Sequence, residues 1–239
     1  MASIIEAVED IFQDGSALVK FAVYAVPIFF AYRLEVAGNP LYLPLGVLIS
    51  IILLGFTTEC ISNVRNDKER VMPGYNIFRL FWRGIKALIA VLPYAIAAGM
   101  AAFFTMAFVI KNIITLDAAG IVGAIFIYLL TYGIAAAVVM TAYFLYARRF
   151  KISDAYNLKL LSDAFADVFV GLIFFSLKMI LLDIVIGGSI TYLFWVFADI
   201  TNNVYIYFLC MMVVFKAAVT GDYFAQMSYE AIEVKENEQ

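Results

Sequence analysis

The sequence predicts an all-α polytopic membrane protein, a bundle of about six transmembrane helices built as three helical hairpins, with both termini cytoplasmic. Three observations carry this reading. Hydrophobic residues make up 65% of the 239 positions and charged residues 15%, with a mean hydropathy of +0.94, which is more apolar surface than one water-soluble core of this length can use. The apolar residues gather in runs of the roughly 20 residues that a bilayer-spanning helix needs. Finally, ten of the sixteen Lys and Arg residues fall in two connectors between such runs, and the positive-inside rule puts both connectors in the cytoplasm.

The whole chain reads as one integral-membrane domain: residues 1–15 an N-terminal amphipathic helix, 16–223 the bundle, 224–239 a charged C-terminal tail. In the first segment Ile4, Ile5, Val8, Ile11 and Phe12 recur at helical spacing, with Glu6, Glu9, Asp10 and Asp14 between them. Its acidic face disfavours adsorption to anionic lipid and predicts docking onto the basic connector. No basic n-region precedes the first apolar run, so no cleaved signal peptide is expected. The first span, Ser16–Glu35, carries Lys20 near its inner end, read as a snorkelling lysine, and Pro27 in its middle, which can kink it. Gly38-Asn39-Pro40 breaks the chain, and Leu41–Val64 forms the second span.

The stretch Val64–Ala87 is the connector around which the rest is oriented. It holds Arg65, Lys68, Arg70, Arg79, Arg83 and Lys86, with turn signals at Asp67, Met72-Pro73-Gly74 and Asn76. From Ile77 it becomes amphipathic, setting Phe78, Phe81 and Trp82 beside its cations at headgroup depth. The third span, Ile85–Ile110, contains Pro93 and the small-residue run AIAAGMAA; the fourth, Ala118–Tyr146, is again small-rich at Gly133–Ala137. Small residues let neighbouring helices approach closely. Lys111 and Asp117 bound the outer turn between these spans. Arg148, Arg149, Lys151 and Lys159 make the second basic connector. A fifth span covers Ala164–Gly187, Gly188–Asp199 reads as an aromatic outer interfacial segment anchored by Trp195, and Asn202–Tyr223 is the sixth span.

A faint internal repeat accompanies this layout. Thr57, Arg65 and Phe81 recur 84 positions later as Thr141, Arg149 and Phe165, and TAYF at Thr141–Phe144 echoes GDYF at Gly221–Phe224. Each unit would be an amphipathic entry, a span, an outer turn and a second span.

One stretch carries a family resemblance. A span ends GFTTECISNVRND, the chain crosses a basic loop with Met72-Pro73, and the next helix opens FRLFWRGIKA. This resembles the uncharacterised prokaryotic membrane family known as domain of unknown function 4013, in which a span closes near an Arg, a Leu-Pro turn follows and the next helix opens with Lys-Ala. Met72-Pro73 stands where Leu-Pro is usual, and Gly84-Ile85-Lys86-Ala87 matches the opening. The resemblance covers the central two thirds and implies a six-helix integral protein of a prokaryotic plasma (inner) membrane. It brings no activity and no site residues.

Chemistry is sparse. With no histidine and two isolated cysteines, Cys60 and Cys210, neither metal spacing nor a disulfide framework is visible. No phosphate-binding loop, nucleophile elbow or metalloprotease motif occurs, so no cofactor, metal or nucleic acid is expected, and the chain is not read as an enzyme. The sharper signals are ionisable residues inside spans, Lys178, Asp183 and Lys216. Charges at such depth are costly, about 2.5–3.5 kcal/mol by insertion scales, and normally face protein, water or a partner.

The functional reading is a polar site built from Lys178 and Lys216 with Asp183 or Asp199 as counter-charge; the structural reading sends Lys178 towards Asp183 and Lys216 towards Asp222. Arg65, Lys68, Arg70, Arg79, Arg83, Lys86, Arg148 and Arg149 are candidate contacts for anionic lipid headgroups. The leading expectation is a protein that binds or moves a lipid or small amphiphile within the bundle, its partners being membrane lipids. Alternatives are an accessory subunit with a membrane protein partner or a homo-oligomer, and a small lipid-acting enzyme using an interfacial carboxylate among Asp14, Glu59, Asp163 or Asp167.

Overall fold

The computed structural model describes residues 3–66, 70–115, 118–197 and 202–228. Asp67, Lys68, Asp117, Asp199 and the tail from Glu230 lie outside these described residues. All described elements are helical: α1 Ile4–Gln13, α2 Ala17–Val36, α3 Tyr42–Arg65, α4 Ile77–Ile114, α5 Ala118–Arg149, the short α6 Ile152–Ala155, α7 Leu158–Leu182, a π-helical turn Asp183–Gly187, α8 Gly188–Phe197 and α9 Asn203–Ser228. Among the described residues six helices are long and apolar enough to cross a membrane, α7 to α8 counting as one run of 40 residues. The six-helix all-α class expected from composition is therefore the observed one.

One departure from expectation has a local cause. The aromatic stretch from Gly188 is not a separate interfacial segment up to Phe197, because the π turn at Asp183–Gly187 lets the helix run on unbroken. Helix α1 packs on α9 and α2, and its Ala7 and Ile11 belong to the same buried cluster as Val71 and Met72 of the connector. Its apolar stripe carries this packing, since Ala7 and Ile11 are fully buried.

The chain divides into two compact units, one made of the segments Met1–Lys86 and Ile173–Gln239, the other of Ala87–Leu172. In the first, α2 runs antiparallel to α9: Arg33 Nη1 donates to Asn203 Oδ1 at 3.0 Å, Tyr207 Oη donates to Ala22 O at 2.6 Å, and Phe21 packs edge-on against Phe215. Helix α1 continues that line past Gly15, with Phe12 beside Phe215 and the Ser3 amide donating to Gln226 Oε1 at 2.8 Å. The ends of α1 and α9 therefore lie together. The reversal between α2 and α3 uses Gly38 at φ 66°, a left-handed position that closes the helix end by amide bonds from Gly38 to Glu35 O and from Asn39 to Leu34 O.

Helix α3 is the centre of this unit, buried continuously from Gly55 to Asn63. It meets α9 at Gly221, where a Cβ would come within 2.8 Å of Thr57 O and 2.6 Å of Cys60 Cβ. Thr57 turns its hydroxyl back to Leu53 O at 3.1 Å, and Thr141, its proposed repeat mate, does the same to Ala137 O at 2.8 Å.

In the second unit the connector after α5 is pinned by tyrosines. Tyr94 Oη donates to Ala155 O and Tyr156 Oη to Ile89 O, both at 2.6 Å. The chain leaves α5 through Phe150 at φ 54°.

Candidate functional site

All three ionisable residues singled out within spans belong to the first unit, and they form two contacts, not one cluster. Lys216 Nζ on α9 donates to Asp183 Oδ2 at 2.7 Å, with side chains 35% and 47% exposed. Lys178 Nζ donates to Tyr223 Oη at 3.4 Å and lies 5.1 Å from the centre of that ring. Lys216 and Tyr223 are seven residues apart on α9, so both contacts leave the same helix face. Asp183 opens the π turn; π-helical turns widen a helix and are frequent at functional sites.

Beside the Lys216–Asp183 pair lies an apolar groove of about 200 Å³. Ile186 and Ile190 follow Asp183 at helical spacing, and Phe208 and Met212 precede Lys216 at intervals of four, so each wall is the stripe that carries one member of the ion pair. Phe12, Phe21 and Phe215 close the end nearest α1. The groove thus has a wholly apolar lining, and two of its walls continue along their helices to the two members of the charged pair.

At the other polar locus, the connector folds back over the ends of α2 and α3. Three side chains hold three successive stretches of its backbone: Asn63 Nδ2 donates to Val71 O at 3.0 Å, Lys20 Nζ to Met72 O at 3.2 Å, and Tyr24 Oη to Gly74 O at 2.8 Å. Lys20 also pairs with Asp14 Oδ2 at 2.6 Å, both side chains being at most 4% exposed. Lys20 therefore does not snorkel, because a buried carboxylate and a carbonyl already stand within its reach. Burial of Asp14 acts to raise its carboxyl, but the hydrogen bonds from Lys20 and Ser16 outweigh it and hold the group at about 2.

Nearby, Glu59 of α3 is 5% exposed and forms ion pairs with two arginines of α4: Arg79 Nη2 stands 2.8 Å from Oε1 and Arg83 Nε 2.7 Å from Oε2. Together these groups surround a cleft of about 730 Å³ lined by Ser16, Lys20, Glu59, Asn63, Arg70, Met72, Pro73, Gly74, Tyr75 and Arg79.

Of the candidate headgroup cations, Arg79 and Arg83 converge on Glu59 and Arg70 shares the cleft with Arg79. Arg65 is half-buried at the end of α3, Lys86 is exposed on α4, and Arg148 and Arg149 end α5 in the second unit. Sequence reasoning singled out Glu59, Asp14 and Asp222 but missed the pairing of Glu59 with Arg79 and Arg83, the Asp14–Lys20 pair and the burial of Asp222 away from Lys216. Asp222 is fully buried; its Oδ1 accepts from Gln226 Nε2 at 3.0 Å, and its Oδ2 has no hydrogen-bond partner among the described residues. The signal available was Glu59 itself, a carboxylate one turn inside an apolar span and followed by a helix opening with paired arginines.

A family model described as "Protein of unknown function (DUF4013)" matches residues 41–195. The chain is a member of the DUF4013 family. None of the curated proteins and none of the solved structures matches it. The DUF4013 segment contains Glu59, Arg70, Arg79, Arg83, Lys178 and Asp183, whereas Asp14, Lys20, Lys216 and Tyr223 lie beyond its ends. The Glu59 anchor is thus internal to the family segment. The ion pair beside the groove joins that segment to α9.

Proposed function

We propose that this DUF4013 protein binds a lipid or small amphiphile in the first unit, with its chain in the apolar groove and its polar head at Lys216 and Asp183. The observation that carries the reading is the 2.7 Å Lys216–Asp183 pair, half-exposed on the two helices that wall a groove with no polar lining. An ion pair at this depth keeps unused hydrogen-bonding capacity that lipid tails cannot satisfy, so a ligand offering a polar head and an apolar tail gains at both ends. The basic connectors favour the orientation in which both termini face the cytoplasm of a prokaryotic plasma membrane. The head would then sit on the cytoplasmic side of its tail.

Native mass spectrometry of the protein extracted gently from its own membrane tests this. A defined lipid or solute should copurify with the wild type and be lost or reduced at least tenfold in Lys216→Gln. A bare wild-type protein, or a ligand retained in the variant, overturns the reading.

A second reading, an accessory subunit, draws on the second unit. There Ala95, Ala98, Gly99, Ala102, Ala135 and Ala136 line an open groove of about 350 Å³. Small-residue faces of this type accept another membrane helix. A stoichiometric protein partner in the same experiment, released by Gly99→Leu, would favour it.

A further inference from the structure

We propose that the connector cleft is a second site, independent of the groove, that binds a phosphate-bearing ligand between Arg70 and Arg79. Its shape comes first. At about 730 Å³ the cleft falls within the range of small-molecule sites, about 300–1,000 Å³. Its wall is fixed, since Asn63, Lys20 and Tyr24 hold the connector carbonyls of Val71, Met72 and Gly74.

Charge comes next. The described ionisable groups lining or anchoring the cleft are Asp14, Lys20, Glu59, Arg70, Arg79 and Arg83, four cations against two anions. The two carboxylates are the buried members and serve to aim the cations. Glu59 takes one nitrogen of Arg79 at 2.8 Å, while the Arg79 side chain stays 51% exposed with its remaining donors open to the cleft. Lys20, 4% exposed, gives two protons to Asp14 and Met72 O and retains a third. Arg70 is exposed and has no partner among the described residues.

Two helix starts, of α2 after Ser16 and of α4 after Asn76, and two helix ends, of α1 at Gln13 and of α3 at Arg65, border this locus, so the net positive charge comes from the side chains and not from the helix termini. One guanidinium fixed by a carboxylate and a second sharing its cleft match the planar, multidentate demand of a phosphate better than that of a monovalent anion.

The cleft is much larger than a bare phosphate, so the ligand is a phosphate on a bulkier body. Tyr75, stacked on Tyr24 with ring centres 6.2 Å apart, supplies a flat wall for that body. Its source is either a phospholipid headgroup, which the exposed Phe78 and Trp82 of α4 would flank, or a phosphorylated solute.

Thermal unfolding of the full chain in detergent distinguishes these. The probes are inorganic phosphate, and mixed micelles carrying phosphatidic acid or phosphatidylcholine, each at matched ionic strength. Inorganic phosphate raising the midpoint of the wild type points to a solute phosphate. Phosphatidic acid alone raising it points to a headgroup.

In either case Arg70→Gln, which leaves the Glu59 pairs intact, should weaken the half-saturating concentration at least tenfold, and Arg70→Gln with Arg79→Gln should abolish the shift. Lys111→Gln, in the second unit, should not change it. No shift with phosphate or phosphatidic acid, equal shifts with chloride, or shifts that survive the double substitution overturn the proposal. Lys216→Gln should leave this response intact, so failure here is separable from failure at the groove.

Discussion

Gly55 on α3 and Gly84 on α4 face each other where these helices cross, so closely that a Cβ on Gly55 would lie 2.8 Å from the Gly84 amide nitrogen. The same Cβ would overlap Leu80 O, and one on Gly84 would overlap Ile51 O, both backbone atoms that cannot swing aside. This crossing brings the first turns of α4 against α3 and so sets Arg79 and Arg83 over Glu59. The sequence-visible glycines and the buried charge cluster are one device.

Gly55→Ala and Gly84→Ala are therefore expected to destabilise by about 2–3 kcal/mol each, the upper range for overpacking. That corresponds to a fall of roughly 5–10 °C in the thermal midpoint for a chain of this size. Gly46→Ala and Gly99→Ala, where an added Cβ meets nothing within 4 Å, should be neutral or slightly stabilising. Thermal unfolding of the four variants in one detergent checks the contrast. Equal behaviour at all four positions would show that the crossing is looser than described.

Glu59→Gln should cost more than either arginine substitution. It removes both ion pairs at once, whereas either arginine substitution removes one, and a partly buried charge-assisted contact such as Arg83–Glu59 is worth about 1.5–3 kcal/mol. Arg79→Gln removes a half-exposed partner while Arg83 still pairs with Glu59, so about 1 kcal/mol is expected. Denaturant or thermal midpoints of the two variants should differ by several degrees, with Glu59→Gln the lower.

How much of this was legible in the chain depends on which force decides each feature. The six spans follow from apolar run length and Lys/Arg placement. The first, second and fourth are observed within a few residues, for example Ser16–Glu35 against Ala17–Val36, whereas the third begins at Ile77 and the fifth runs on to Phe197. Pairing was not legible, because it depends on which faces meet. Lys216 reaches Asp183 and Lys178 reaches Tyr223, although Asp222 is nearer to Lys216 in sequence. Helical phase settles it: six residues separate Lys216 from Asp222, placing them on different faces of α9. Lys20 looked like a snorkelling residue because its partners, Asp14 and the carbonyl of Met72, come from a helix start and a connector whose fold no periodicity encodes.

Acid should weaken the connector. The Asp14 carboxyl lies at about 2 in the folded chain against 3.8 for the free group. A depressed carboxyl contributes stability that is complete above the unfolded value and is lost as pH falls through the folded value. The window is therefore about pH 4 down to pH 2, and the shift corresponds to about 2 kcal/mol. Asp10 acts in the opposite sense. Burial, then the neighbouring Glu6 and Glu9, raise its carboxyl, so its contribution grows as pH falls and is complete once the pH is below 3.8. Of these two groups, Asp14 is the one whose contribution is lost below pH 4. In Asp14→Asn that acid-dependent loss should vanish, and the whole stability curve should drop because Lys20 keeps its burial without a counter-charge. Adding Lys20→Met should recover part of that drop, and a double variant no more stable than Asp14→Asn would show that the pair is not coupled.

The groove can be tested by volume without touching its charges. Met212 lines it one turn before Lys216, and the cavity is about 200 Å³, so Met212→Trp should fill the space a tail would occupy while leaving the Lys216–Asp183 pair in place. If an amphiphile binds there, the variant should lose its copurifying ligand in native mass spectra and keep its thermal midpoint once that ligand is stripped from the wild type. Lys216→Gln would remove the head contact instead, so the two variants should give the same spectrum for different physical reasons. A ligand lost in Lys216→Gln but retained in Met212→Trp would place the polar head at the ion pair and the tail elsewhere. Retention in both would remove the groove from consideration and leave the second unit's small-residue face as the place to look.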